Sequence, residues 1–212
     1  MKAGIIVFPG TNCDRDTKRA CEFFGWETEY VWHDETSLDK YDLIFLPGGF
    51  SYGDYVRAGR LARFSPAVLA LINYVEDKRG FVIGICNGFQ ILCESKLLPG
   101  ILSVNWSTRF ICEEVPLEVE HLCLPKFMTL PIAHGEGRYI TNEKTLNELD
   151  ANNKIFLRYA KNPNGSLGDI AGLYDKEKRI IGMMPHPERA VFKENGNTDG
   201  RYFFEMLEAE LR

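Results

Sequence analysis

Short apolar segments alternate with longer amphipathic ones along the first half of this 212-residue chain. Apolar, β-branched runs predict strands at residues 3–8, 28–32, 42–46 and 81–85. Periodic segments predict helices at residues 14–24, 65–77 and 88–96, the first capped by Asp14 and ended by Gly25. Strands that alternate with helices are typical of a doubly wound, mainly parallel sheet in an α/β protein.

The second half of the chain predicts a return to the same sheet. Shorter alternating segments between residues 101 and 128 indicate a short antiparallel extension. The remaining predicted elements are a helix at 141–149, strands at 156–159, 170–174 and 180–183, and a closing helix at 202–211. Because no repeat, low-complexity tract or linker interrupts the sequence, we expect a single domain over residues 1–212.

One thiol lies where a buried strand is expected to turn sharply into a helix. Cys86 lies between Gly84 and Gly88, the spacing of a nucleophile elbow with a thiol in place of the serine hydroxyl. The N-terminus of the following helix carries partial positive charge, which stabilises a thiolate and an oxyanion beside it. Cys86 is therefore a candidate nucleophile, and the alternative is a structural cysteine buried in the junction.

A histidine and a carboxylate follow a second buried-strand pattern at residues 180–183. Pro187 restricts its predecessor and fixes its own φ, so we expect His186, Pro187 and Glu188 to be extended. Residues two apart in an extended segment point the same way, which places Glu188 beside the His186 imidazole. Glu188 would then hold one ring nitrogen protonated and leave the other to take a proton from Cys86.

Paired glycines at positions 48 and 49 end the apolar run at residues 43–46. Their backbone N–H groups carry no obstructing side chains, as an oxyanion hole requires. We assign the N–H groups of Gly49 and Asn87 to that role. The chemistry indicated is attack of the thiolate on a carboxamide, protonation of the departing ammonia by His186, and hydrolysis of the thioester by water.

The spacing Gly-x-Cys-x-Gly-x-Gln with a downstream His-x-Glu resembles the class I glutamine amidotransferase family. Three further segments narrow the resemblance to the glutaminase subunits of phosphoribosylformylglycinamidine synthases. They are Phe-Pro-Gly-Thr-Asn-Cys-Asp at 8–14, Pro-Gly-Gly-Phe-Ser-Tyr-Gly-Asp-Tyr at 47–55 and His-Gly-Glu-Gly-Arg-Tyr at 134–139.

This resemblance implies a flavodoxin-like fold and a role for each matching residue. Cys86 would form a γ-glutamyl thioester, His186 would act as base and acid, and Glu188 would orient His186. Three residues would help to hold L-glutamine: Gln90, Ser107 and Arg109. The segment 105–110 is also compatible with a plain loop that enters a strand.

The resemblance also implies partners. The ammonia would pass to a large synthetase subunit that binds ATP and magnesium and converts formylglycinamide ribonucleotide to formylglycinamidine ribonucleotide in de novo purine biosynthesis. A small third subunit would bridge the two. The segment 134–138 is a candidate for the contact surface or for shaping the site, and its alternative is a glycine-rich turn.

Charge and hydropathy exclude several classes of function. The net charge is −5 and no basic stripe is visible, so no nucleic-acid partner is expected. No segment approaches the roughly 20 apolar residues of a membrane span, and no secretory signal precedes the first strand, so we expect a cytoplasmic protein. The sequence contains neither a P-loop nor Gly-x-Gly-x-x-Gly after a strand, and no cofactor is expected in this chain.

The six cysteines show neither a Cys-x-x-Cys pair nor the spacing of a metal site, so no metal is expected. Four of them have apolar neighbours and are expected to be reduced core residues: Cys21, Cys93, Cys112 and Cys123.

Two other functions remain open from the sequence alone. A cysteine hydrolase acting on peptides or γ-glutamyl conjugates could use the same residues without a partner, although the related stress-type hydrolases usually carry histidine after the cysteine, where this chain has Asn87. A catalytically silent binding subunit is the other possibility, and the intact set of Cys86, His186 and Glu188 argues against it.

Overall fold

A nine-stranded sheet organises the protein, which is described here from a computed structural model that covers residues 1–77, 79–121 and 123–211. The strands are β1 (Lys2–Val7), β2 (Glu27–Trp32), β3 (Leu43–Leu46), β4 (Phe81–Ile85), β5 (Ile101–Ser103), β6 (Ile111–Val119), β7 (Phe127–His134), β8 (Arg138–Ile140), β9 (Ile155–Tyr159), β10 (Ile170–Asp175) and β11 (Ile180–Met183). The helices are α1 (Asp14–Phe23), α2 (Pro66–Glu76), α3 (Asn87–Glu94), α4 (Glu143–Ala151) and α5 (Gly200–Glu210).

The strand order is β2-β1-β3-β4-β11-β10-β9-β6-β7. The first five strands in this order, from β2 to β11, run parallel to one another. The four strands from β10 to β7 continue the sheet in antiparallel register. β5 and β8 form a separate antiparallel pair. The predicted α/β fold, with its parallel sheet and antiparallel extension, is therefore confirmed.

Helices cover both faces of the parallel strands. Phe45 of β3 lies 6.3 Å, ring to ring, from Phe204 of α5. A Cβ added to Gly88 of α3 would lie 2.8 Å from the Cβ of Leu46, the next residue in β3. Because successive side chains of a strand point to opposite faces, α5 and α3 lie on opposite faces of the sheet. This is the doubly wound arrangement that the alternating pattern predicts.

Most predicted element boundaries agree with the structure to within two residues, and the helix caps show why some differ. Ser65 accepts a hydrogen bond from the Val68 N–H and Pro66 occupies the first turn, as expected of an N-cap. The predicted cap at Asp14 is wrong. The N-cap of α1 is Cys13, and Asp14 lies in the first turn, where its negative charge interacts favourably with the positive end of the helix dipole.

The prediction that four cysteines are core residues is half wrong. Cys21 and Cys93 are buried, whereas Cys112 and Cys123 are exposed. Cys112 lies on β6, whose side chains alternate between buried and solvated positions from Val115 onward. Apolar neighbours in sequence do not fix the face of a strand on which a residue lies, because that depends on register.

Within the described ranges, none of the helices combines the length and apolar character needed to cross a lipid bilayer.

We expect the aromatic cluster under α5 to contribute strongly to stability. Phe204 is fully buried and its ring lies 5.2 Å from that of Phe24 and 5.7 Å from that of Trp26. Phe204→Ala should lower the free energy of unfolding, measured in urea, by about 3–5 kcal/mol. Tyr202→Ala, on the exposed side of the same helix, is the matched control and should cost about 0.5 kcal/mol. Equal losses in the two variants would contradict this packing.

Candidate active site

The candidate nucleophile lies on a sharp, strained turn between β4 and α3. Cys86 has φ 52° and ψ −104°, a backbone conformation that L side chains rarely adopt. The Cys86 N–H donates to the carbonyl of Met183 in the neighbouring strand at 2.7 Å, and α3 begins at the next residue. The Cys86 side chain is 5% exposed, and its Sγ lies 3.6 Å from the carbonyl oxygen of Ala133. The structure therefore contains the elbow that the glycine spacing predicts.

The two glycines of the elbow are required by close backbone contacts. A Cβ at Gly88 would lie 1.9 Å from the carbonyl oxygen of Leu46. A Cβ at Gly84 would lie 2.5 Å from Leu92 Cδ1 and 2.7 Å from the backbone of Gly88. Without side chains at these positions, the N-terminus of α3 packs directly on the ends of β3 and β4, and this contact sets the position of Cys86.

His186 and Glu188 form a buried hydrogen-bonded pair beside this turn. His186 Nδ1 lies 2.6 Å from Glu188 Oε1, and both side chains are about 1% exposed. The pairing is as predicted, but the extended conformation is wrong, because Pro187–Arg189 form one turn of 3-10 helix. The fixed φ of proline also suits the first position of a helical turn. The Arg189 N–H closes this turn by donating to the His186 carbonyl at 3.2 Å.

The environment of His186 favours the imidazolium. Burial lowers its pKa, but the negative charges of Glu188 and of a Cys86 thiolate oppose that effect, and the pKa lies well above its ordinary value. Nε2 of His186 has no hydrogen-bond partner among the described residues. The ring nitrogen opposite Glu188 is thus available for proton exchange.

Two backbone N–H groups are free at the site. Among residues that the structure covers, neither Gly49 N–H nor Asn87 N–H has a hydrogen-bond acceptor. Gly49 has φ 151°, and a Cβ there would lie 2.7 Å from Thr11 Cα. A Cβ on Gly48 would lie 2.7 Å from His186 Cε1 and 3.4 Å from Cys86 Cβ. The paired glycines therefore bring this loop against Cys86 and His186, as an oxyanion hole at the thiol requires.

Side-chain amides on α3 fix the surrounding loops. Asn87 Oδ1 accepts from the Ser51 N–H at 3.1 Å, and its Nδ2 donates to Gln90 Oε1 at 2.8 Å and to Asp54 Oδ1 at 3.1 Å. Gln90 Nε2 donates to the carbonyl of Glu136 at 2.6 Å. Burial and the nearby charge of Glu136 raise the pKa of Asp54 to about 6. Gln90 thus holds the segment 134–138 to the site, and its contact with glutamine stays a prediction.

The loop predicted to hold the substrate is fixed by Asn105. Asn105 Nδ2 donates to the carbonyls of Arg109 at 2.9 Å and His134 at 2.8 Å. Ser107 and Arg109 are exposed. Ala133, whose carbonyl contacts Cys86, precedes His134 in β7. The loop therefore borders the site, and direct contact of Ser107 and Arg109 with glutamine stays a prediction.

His134 is part of the framework of the site. Its Nδ1 lies 3.1 Å from Asn105 Oδ1, and the side chain is 3% exposed. Burial, aided by the charge of His186, lowers the pKa of His134 to about 4. A neutral histidine that anchors a loop favours the site-shaping alternative for the segment 134–138.

Sequence reasoning missed a second thiol at the site. Cys13 is buried, and its Sγ lies 3.1 Å from Arg189 Nη2. The same sulfur lies within 4.8 Å of a ring nitrogen of His186 and a carboxylate oxygen of Glu188. The spacing of Cys13 from the other cysteines matches no metal or redox pattern, so cysteine spacing does not indicate it. Its place after β1, at the carboxyl edge of the parallel strands, is the signal that could have identified it.

Comparisons with known proteins agree with this geometry. The family model of the CobB/CobQ-like glutamine amidotransferase domain matches residues 1–203. The chain is 50% identical to the phosphoribosylformylglycinamidine synthase subunit PurQ of Parasynechococcus marenigrum, with 98% of this chain and 99% of that protein covered. It is 48% identical to the subunit of the same name from Thermus thermophilus, with 100% and 99% covered.

A solved structure, PurLQS from Thermotoga maritima, contains a similar chain. It superimposes with a TM-score of 0.91 at 41% identity, and the match covers 100% of this chain and 99% of that chain. Since the family model spans nearly the whole sequence and full-length relatives are about half identical, this chain belongs to the CobB/CobQ-like glutamine amidotransferase domain family.

Proposed function

We propose that this chain is the glutaminase subunit of a phosphoribosylformylglycinamidine synthase. It hydrolyses L-glutamine to glutamate and ammonia and supplies the ammonia to a synthetase subunit that makes formylglycinamidine ribonucleotide in de novo purine biosynthesis. One observation carries the proposal. The full-length similarity to such subunits coincides with a thiol on a strained elbow beside a buried His186–Glu188 pair.

The first half of the reaction is acylation of Cys86. The thiolate attacks the carboxamide carbon of glutamine, and the N–H groups of Gly49 and Asn87 stabilise the oxyanion. His186, as imidazolium, donates a proton to the departing ammonia, which leaves a γ-glutamyl thioester. The raised pKa of His186 supports this role, because it favours the protonated ring.

The second half is hydrolysis of the thioester. Neutral His186 takes a proton from water as the hydroxyl attacks the thioester carbon, and the oxyanion occupies the same two N–H groups. Collapse of this intermediate breaks the C–S bond and releases glutamate, while the imidazolium and the Cys86 thiolate are restored. Glu188 holds the Nδ1–H side of the ring throughout.

The ammonia is used by a partner. The Thermotoga maritima structure is named as PurLQS, which supports a complex between this chain and a large synthetase subunit. ATP and magnesium are proposed to bind to that subunit, and a small third subunit is proposed to bridge the two. A cytoplasmic location and the single-domain boundary at 1–212 stay predictions from the sequence.

Removing the thiol should abolish the glutaminase reaction. Cys86→Ala should release no glutamate from glutamine, alone or with the synthetase subunit, ATP and formylglycinamide ribonucleotide, because no thioester can form. Wild type should release glutamate faster when these are added. Cys123→Ser, which removes an exposed thiol, is the control and should match wild type. Glutamate release by Cys86→Ala at the wild-type rate would refute the assignment.

The charge of Glu188 should set the alkaline limb of the pH profile. Glu188 raises the pKa of His186, and the imidazolium must be present when ammonia leaves, so wild-type kcat should fall only well above pH 6.5. Glu188→Gln should move that limb to lower pH and reduce kcat by up to about 10⁴-fold. Exposed Glu194→Gln should change neither. An unshifted limb in Glu188→Gln would argue against this pairing.

A side chain at Gly48 should misplace the reacting groups while the protein stays folded. Gly48→Ala introduces a Cβ 2.7 Å from His186 Cε1, and kcat for glutamate release should fall by about 10²-fold, since a 1 Å displacement can cost that much. Gly135→Ala is the matched control, because among the described residues its Cβ would meet only Phe110 Cδ2, at 3.8 Å. Equal activities of the two variants would mean that the loop at Gly48 does not set the geometry.

A further inference from the structure

Three buried side chains with metal-binding atoms converge beside the elbow. The ligand atoms of Cys13, His186 and Glu188 all lie within 4.8 Å of one another. Cys13 precedes α1, whereas His186 and Glu188 follow β11, so the group exists only in the folded chain. We call it the Cys13 cluster. The proposed glutaminase reaction gives Cys13 no role.

The donor atoms of the Cys13 cluster suit a soft or borderline divalent ion. A thiolate, an imidazole nitrogen and a carboxylate oxygen are the ligand types that Zn²⁺ takes in proteins. Ligand atoms of a tetrahedral zinc site lie roughly 3.5 Å apart. A group already within 4.8 Å therefore needs shifts of about 1 Å to close on an ion.

Two buried polar atoms of the cluster are unsatisfied. His186 Nε2 and Glu188 Oε2 have no hydrogen-bond partner in the part of the chain that the structure describes. Both side chains are about 1% exposed, and buried polar atoms without partners cost free energy. A cation would satisfy Glu188 Oε2 directly, and it would satisfy His186 Nε2 once the proton on that nitrogen has been released.

Burial raises the pKa of the Cys13 thiol, and the neighbouring His186 and Arg189 act in the opposite direction. Arg189 Nη2 lies 3.1 Å from Cys13 Sγ, and Asp16 holds the same guanidinium through Nε at 3.2 Å. Hydrogen bonds of this kind orient and stabilise the ligands of a metal site. Arg189, which is about a third exposed, lies beside the three buried members of the cluster. Gly48 leaves the space between Cys13 Sγ and the His186 ring open.

We propose that the Cys13 cluster is an inhibitory site for Zn²⁺ or a similar divalent ion. Binding releases the Cys13 thiol proton and the proton of the coordinating His186 nitrogen to solvent. With the metal in place, His186 can no longer carry the proton between Cys86, ammonia and water. The binding site itself does not depend on the proposed function, but the inhibition rests on it.

This site differs from simple capture of a metal by the active-site thiol. Cys86 is not a member of the cluster, and its Sγ instead lies near the carbonyl of Ala133. The proposal therefore requires that Cys13, and not Cys86, supplies the sulfur ligand. Variants of these two residues separate the two possibilities.

Cobalt binding tests the site without any enzymatic assay. The background variant carries Cys86→Ala, Cys112→Ser and Cys123→Ser, which remove the proposed nucleophile and both exposed thiols. Titration of this protein with Co²⁺ should give a sulfur-to-cobalt charge-transfer band that Zn²⁺ displaces. Adding Cys13→Ser should abolish the band and weaken Zn²⁺ binding, measured by calorimetry, at least 10-fold. Exposed Glu194→Gln should leave both unchanged.

Two outcomes would overturn the proposal. One is the absence of the band from the background variant. The other is its persistence after Cys13→Ser, provided that circular dichroism shows both proteins folded.

Glutamate release then tests the inhibition. Zn²⁺ should inhibit protein with intact Cys86, and Cys13→Ser should raise the inhibitory Zn²⁺ concentration at least 10-fold relative to its own metal-free rate. Equal inhibition of the two proteins would refute regulation through Cys13. Absence of glutaminase activity without metal would count against the proposed function and leave the cobalt result standing.

Discussion

The contact between the N-terminus of α3 and the ends of β3 and β4 is the constraint on which the site depends. Gly88 lies so close to the Leu46 carbonyl that a Cβ would be 1.9 Å from its oxygen. This approach forces Cys86 into its strained conformation and brings Asn87 within hydrogen-bond distance of the Ser51 N–H. This one backbone contact therefore fixes the position of the Cys86 thiol and the position of the loop that follows Gly48 and Gly49. The packed parallel strands around Cys86 hold this residue in its strained backbone conformation.

The buried charges beside this contact link stability to chemistry. A His186–Glu188 pair with about 1% exposure loses its hydration, and removal of one partner from such a pair typically costs about 3–5 kcal/mol. The short hydrogen bond at Nδ1 offsets part of the free energy lost with this hydration, while Nε2 is left without a partner in the described residues. His186 Nε2 is the atom that is proposed to transfer the proton. It is also a potential ligand for the cation that is proposed to bind beside Cys13.

Local rules predict the framework and the main site residues well. Each of the informative patterns spans only a few residues, over which periodicity and steric limits determine the local structure. These patterns are the buried β-branched runs, the Gly-x-Cys-x-Gly spacing and the His-x-Glu pair. Pro187 does not distinguish an extended segment from the 3-10 turn that forms, since its fixed φ suits both. The exposed face of Cys112 depends on pairing register, which composition does not reveal.

Long-range contacts account for what the sequence does not predict. Cys13 meets His186 only because β1, β3, β4 and β11 lie in one parallel sheet, whose order is fixed by packing of the whole domain. Asn105 and Gln90 donate hydrogen bonds to backbone carbonyls. Any residue type can supply such a carbonyl, so these contacts produce no recognisable pattern in the sequence. The same packing leaves the N–H groups of Gly49 and Asn87 without an acceptor among the residues that the structure covers.

The covalent intermediate tests the central claim most directly. Glutamine mixed with the protein and quenched in acid within the first turnovers should leave one γ-glutamyl group, located by peptide mass spectrometry on Cys86. The account predicts that the adduct forms on Cys86 alone and disappears as glutamate accumulates. An adduct on Cys13, or glutamate release with no acylated cysteine at any time, would contradict an elbow built to present Cys86 to His186.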